Sequence, residues 1–146
     1  MKTVWILNGP NLNRLGVREP EIYGKHSLAE VEKLTNEKAT SLGFDVKWFQ
    51  SSSEGELVDT VHAAHDQNIA AIVINPGAYS HTSVALLDAL KSYKGEIVEV
   101  HLSNTHHRES FRQVKLTAKA STIIMEGLGI DAYHTALYVL FHRGVK

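Results

Sequence analysis

The apolar positions of this chain change period again and again, and each change marks a switch between strand and helix. Residues 4–7 form a short apolar run without alternation, as expected of a strand buried on both faces. Ser27-Leu28-Ala29-Glu30 has the form of a capping box, a hydroxyl placed to accept from a free backbone N–H with a glutamate three residues on. Leu28, Val31, Leu34 and Leu42 then fall on roughly one helical face, and Gly43 ends the helix. Residues 45–50 read as a second strand. Ser53-Glu54-Gly55-Glu56 repeats the capping pattern ahead of Leu57, Val61 and Ala64 at helical spacing. The continuous run 69–74 is a central parallel strand. Residues 82–93 are expected as a third helix, 96–102 as a fourth strand and 121–125 as a fifth. Asp131 is expected to cap a last helix, with Tyr133, Leu137, Leu140 and Phe141 inward. Strands alternating with helices predict a parallel sheet covered on both faces. About five strands make an α/β, flavodoxin-like three-layer sandwich with right-handed crossovers. No repeat, linker or low-complexity tract divides the chain, so residues 1–146 are expected as one domain.

The polar segments collect at the carboxyl ends of the strands, where open parallel sheets bind ligands. The first strand runs into a long loop, residues 8–24, with three asparagines, two arginines and Tyr23. Loops of that length in compact domains are uncommon and usually functional. The second strand ends in Gln50, Ser51, Ser52 and Ser53. The third ends in Asn75-Pro76-Gly77-Ala78-Tyr79-Ser80-His81-Thr82-Ser83. The fourth ends in His101-Leu102-Ser103-Asn104-Thr105-His106-His107-Arg108. All three prolines lie in such segments. Four polar strand ends together point to a site for a polar small molecule.

Composition narrows the chemistry. The formal charge is −1 and carries no charge blocks, which argues against nucleic acid and anionic membrane as main partners. There is no cysteine, so disulfides, thiolate nucleophiles and Cys-ligated metals are excluded. The longest apolar run is far too short to span a bilayer, and residues 4–7 are too short for a signal-peptide core. A cytoplasmic location is the default expectation. Nine histidines raise the question of a metal, but His62 and His65 stand alone at i,i+3, His106 and His107 are adjacent, and no helical His-Glu-x-x-His pattern occurs. No metal is expected, and His62, His65 and His142 read as ordinary surface or partly buried residues.

Two groups can exchange protons. On the fourth strand, alternation puts Glu99, His101 and Ser103 on one face and Val98, Val100 and Leu102 on the other, with Glu96 out of phase. A carboxylate beside an imidazole favours its charged form, which makes His101 a candidate proton donor near neutral pH. In the loop after the first strand, Tyr23 follows Arg18 by five residues. A free phenol titrates near about 10, so a tyrosine base needs a neighbouring cation, and Arg18 can supply part of that help if the loop closes. Next to His101, Ser103-Asn104-Thr105 can cap a short helix over residues 106–111, whose free N–H groups suit a substrate carboxylate or phosphate. Neither a phosphate loop of the Gly-Lys-Thr type nor a dinucleotide fingerprint is present.

Taken together, the loop 8–24, the stretch 50–62 with Glu54-Gly55, the run 74–90 with Asn75-Pro76-Gly77-Ala78-Tyr79 and His81-Thr82-Ser83, and Glu99-Val100-His101-Leu102-Ser103-Asn104 resemble the type II 3-dehydroquinate dehydratases over nearly the whole chain. The resemblance implies a cofactor-free anti elimination of water from 3-dehydroquinate to give 3-dehydroshikimate. It implies Tyr23 as the base that removes the C2 proton, Arg18 as its activator, and Asn11 as holder of a water against the enolate oxygen. It implies His101 as the general acid and Glu99 as the carboxylate that orients and charges it. Asn75, His81 and Arg112 match residues that bind substrate hydroxyls, and the N–H groups of Leu102 and Ser103 match a carboxylate site. Asp88 matches an acidic residue that reaches a neighbouring subunit's site. The family resemblance also implies a homo-oligomer, a dodecamer of four trimers. Two departures stand out. Ser52 replaces a usual asparagine. After Arg112, where the family typically has two histidines and a serine and then a glycine-containing strand, this chain reads Gln113-Val114-Lys115-Leu116 and onward to Met125-Glu126 before Gly127-Leu128-Gly129 restores the pattern. That segment bears on Arg112 and on subunit packing. Two readings compete with the dehydratase: a non-catalytic binder of a quinate-like acid, and another flavodoxin-like protein that binds flavin or accepts a phosphoryl group.

Overall fold

The computed structural model describes residues 1–145. Five strands, β1 (Lys2–Asn8), β2 (Phe44–Gln50), β3 (Ala71–Asn75), β4 (Glu96–His101) and β5 (Ile123–Glu126), form one sheet in the order β2-β1-β3-β4-β5. Every pairing is parallel. This is the flavodoxin-like order, with its switch point between β1 and β3. The helices are α1 (Pro20–Tyr23), α2 (Leu28–Ser41), α3 (Glu54–Asp66), α4 (Tyr79–Thr82), α5 (Val84–Ser92) and α6 (Asp131–His142). Strand alternation splits the core into two apolar layers. Val4, Ile6, Val73, Val98 and Val100 pack under α2 and α6, while Trp5, Leu7, Ile72, Ile74 and Ile97 pack under α3 and α5. No helix among the described residues is long and apolar enough to cross a membrane.

Both hydroxyl caps form as the sequence indicates. Ser27 Oγ accepts from the Glu30 N–H and Ser53 Oγ from the Glu56 N–H, each at 3.2 Å. Gly43 takes a left-handed backbone, φ 79°, at the end of α2. Four expectations are corrected. Leu34 is exposed, because α2 buries the i, i+4, i+8 row Val31, Thr35 and Ala39 instead. The expected helix 82–93 forms as α5 but starts two residues later: Thr82 ends the separate turn α4, and Ser83, with an extended backbone, caps α5 by accepting from Leu86 N–H at 2.9 Å. Asp131 is the first residue of α6 rather than its cap, and its carboxylate bonds His134 at 2.9 Å. The short helix expected over 106–111 is two single 3-10 turns, Thr105–His107 and Ser110–Gln113.

Candidate active site

Register brings the site's floor together. Asn8 and Asn75 are cross-strand neighbours at the carboxyl ends of β1 and β3. Between them stands the Tyr133 hydroxyl from α6, which donates to Asn8 Oδ1 at 2.6 Å and accepts from Asn75 Nδ2 at 3.3 Å. Asn75 Oδ1 accepts from the Gly77 N–H at 3.2 Å. Complete burial pushes the Tyr133 phenol well up, so it stays a neutral hydroxyl in this floor. The loops leaving β1 and β3 touch backbone to backbone. A Cβ on Gly9 would stand 2.3 Å from the Pro76 carbonyl oxygen, so only glycine fits there.

The fourth strand carries the acid side of the site. His101 Nε2 lies 2.7 Å from Glu99 Oε2, and Glu99 is wholly buried. Two hydroxyls complete the carboxylate: Ser80 Oγ donates to Oε2 at 3.0 Å, and Thr117 Oγ1 donates to Oε1. A buried charge is tolerated only when paired and hydrogen-bonded, and Ser80, His101 and Thr117 supply those partners to Glu99. The break at Ser83 leaves α4 as a single turn that carries both Ser80 and His81. His81 Nδ1 lies 2.6 Å from the Val114 carbonyl and must be its donor, which leaves Nε2 as an acceptor. Burial lowers the His81 pKa below the ordinary imidazole value. The nearby positive charges of His101, Arg112 and Lys115 act in the same sense, against the opposing effect of the Val114 bond.

The loop 8–24 carries the other side. Asn11 (φ 71°) and Glu19 (φ 40°) both take left-handed backbone, a conformation that asparagine accepts far more readily than glutamate. Together with Pro20 they turn the loop back over the strand ends and present Tyr23 on α1. Arg18 and Tyr23 do meet, but the guanidinium lies over the ring, 4.8 Å from its centroid. The cation that reaches the phenol oxygen is Arg108, whose Nη1 donates to Tyr23 Oη at 2.6 Å and to Ser103 Oγ at 3.4 Å. Sequence reasoning gave that role to Arg18. Only the polar run 101–108 hinted at Arg108, which stands 85 residues from Tyr23.

One cavity joins these parts. Asn11, Arg18, Tyr23, Asn75, His81, His101, Leu102, Ser103 and Arg112 all line it, with Arg108 added. Glu99 lies behind His101. Arg112 is ion-paired with Glu109 at 3.1 Å. Asp88 stands on the exposed face of α5 and does not line the cavity of its own chain. Nor does the end of β2: Gln50 bonds the Gly9 carbonyl, and Ser51 and Ser53 are used at the start of α3. Three strand ends build the cavity rather than four.

The family model for class II dehydroquinases matches residues 2–141. The chain belongs to that family. A "3-dehydroquinate dehydratase" of Nitrobacter winogradskyi is 54% identical over 136 residues, which is 93% of this chain and 87% of that protein. One from Caldicellulosiruptor bescii is 49% identical over 140 residues, 96% and 97% of the two chains. The crystal structure of the type II dehydroquinase from Propionibacterium acnes superimposes with a TM-score of 0.94 at 39% identity, covering 97% of each chain.

Proposed function

We propose that this dehydroquinase-family chain dehydrates 3-dehydroquinate to 3-dehydroshikimate by an anti elimination through an enolate. The observation that carries the reading is a single cavity with a guanidinium-bound phenol on one wall and a carboxylate-bound imidazole on another. Tyr23 as phenolate removes the proton alpha to the ketone, and Arg108 and Arg18 stabilise the negative charge that its oxygen carries before transfer. The electron pair of the broken C–H bond moves into the enolate. A water held by Asn11 supports the enolate oxygen. The enolate then collapses, the bond to the tertiary hydroxyl breaks, and His101 delivers its Nδ1 proton so that water departs. Glu99 on Nε2 fixes the ring and pairs with the charge it carries. Leu102 and Ser103 receive the substrate carboxylate, while Asn75, His81 and Arg112 hold its hydroxyls, with the neutral Nε2 of His81 as an acceptor. Asp88, facing away from its own cavity, serves a neighbouring copy in a dodecamer of four trimers. No nucleic acid or membrane takes part, and the cytoplasm is the expected site of action.

The test is ultraviolet detection of the conjugated enone product from 3-dehydroquinate, run with a chelator present and repeated after borohydride treatment of enzyme with substrate. Turnover that survives both treatments is expected, because no step needs a metal or a lysine imine. A correctly assembled protein that binds the acid without turning it over would instead be a binder.

A further inference from the structure

The segment 113–126 closes on itself through an ion pair between Lys115, near its start, and Glu126 at its end. Lys115 and Glu126 side chains are mostly buried, and Lys115 Nζ lies 3.2 Å from Glu126 Oε1. The same ammonium donates to the backbone carbonyl of Arg112 at 3.1 Å. Glu126 is the last residue of β5 and is the ladder partner of His101, so the anchor sits on the sheet itself. Its carboxylate also accepts from Thr105 Oγ1 and meets His106 at 3.2 Å. Gln113 Nε2 ties the two 3-10 turns together by donating to the Thr105 carbonyl at 2.6 Å.

Arg112 needs such support. It rides on one 3-10 turn, a conformation with few backbone bonds of its own, and its guanidinium is held by the exposed Glu109 and by the exposed Phe111 ring of the same turn, 5.1 Å from its centroid. We propose that Lys115 is a positioning residue for Arg112: anchored on Glu126, it grips the Arg112 carbonyl and so sets where that guanidinium meets the substrate. This rests on the dehydratase reading, in which Arg112 binds a substrate hydroxyl. Misplacing such a contact weakens substrate binding and leaves the acid and base groups where they are.

Steady-state kinetics with 3-dehydroquinate and thermal midpoints are measured together for the wild type, K115M, K115R and the charge-swapped K115E/E126K. K115M is expected to raise KM about tenfold while kcat changes less than about threefold. K115R, which can still donate to both oxygens, restores KM. In the swapped pair the ion pair persists, but a glutamate at 115 cannot donate to the Arg112 carbonyl. Its melting temperature therefore returns only part of the way toward wild type, since a lysine at 126 cannot accept from Thr105 Oγ1, while KM stays high. Recovery of KM along with stability in the swapped pair would overturn the proposal, as would an unchanged KM in K115M. Should K115M fail to fold, the swapped pair decides alone. An inactive wild type, by contrast, overturns the dehydratase reading itself.

Discussion

The two chemical walls of the cavity are built in opposite ways. The acid wall is sheet. Glu99 and His101 are two residues apart on one strand, so the pleat alone puts them on the same face, and Ser80 and Thr117 close over the carboxylate. The base wall is loop. Tyr23 sits on a single helical turn behind two left-handed residues, and its oxygen is held by Arg108 from a distant segment. A buried, fully satisfied group is fixed on folding, whereas a loop-borne group depends on a few long-range contacts. Substitutions on the acid wall should therefore separate into chemical and structural effects, and those on the base wall into chemical and positional ones.

The strongest break is Tyr23→Phe. It removes one oxygen and keeps the ring under both guanidiniums, so a loss of turnover by about four orders of magnitude is expected with ligand affinity largely kept. Calorimetry of a non-reacting quinate-like acid checks the second half; affinity lost in step with rate would show that Tyr23 chiefly shapes the pocket. On the opposite wall, His101→Ala should cost about three orders of magnitude in kcat. A general acid must be protonated to act, so wild-type activity should fall on the alkaline side. That alkaline limb should vanish from the variant's profile.

The two arginines of the base wall differ in what they reach. Arg108→Met removes a charge-assisted donor from the phenol oxygen and should cost about a hundredfold in kcat. Arg18→Met removes a cation stacked on the ring and should cost about tenfold. The reverse order would mean that the loop rearranges around substrate so that Arg18 replaces Arg108 at the oxygen. A direct measurement of the Tyr23 titration by ultraviolet difference spectroscopy in each variant would separate the two cases.

What was legible in the sequence follows the same division. The Glu99–His101 pair was legible because a strand's period of two decides facing without knowledge of the rest of the chain. The alternation of strands and helices and both serine caps were legible for similarly local reasons. Leu34 misled because apolar size suggested a face that the helix instead turns to solvent, burying Thr35. The break at Ser83 carries no glycine or proline, and a serine that caps a new helix looks like any helical serine until the backbone is seen. Arg108 was hidden most deeply. Nothing within a local window links it to Tyr23, and the nearer Arg18 satisfied the same chemical expectation. The end of β2 looked as polar as the others, yet its side chains are used up capping α3 and bonding Gly9.

The smallest expected effect lies at the outer edge of the acid wall, where a second carboxylate can be set against Glu99. Burial alone would raise the pKa of Glu126, but the hydrogen bonds from Thr105 and Lys115 and the charges of Lys115 and His101 outweigh it and hold the group below the ordinary glutamate range. A carboxyl whose folded pKa is depressed contributes stability above its unfolded value, and that contribution is lost as pH falls through the folded value. Glu126→Gln should therefore cost about 1 kcal/mol near neutral pH. The gap between variant and wild type should narrow once pH drops below about 4.5, the ordinary glutamate value. Urea unfolding of both proteins across the acid range measures the gap directly. A gap that stays constant with pH would mean that the glutamine variant is weakened for reasons of shape, and that the charge of Glu126 adds nothing to the hold on the segment that carries Arg112.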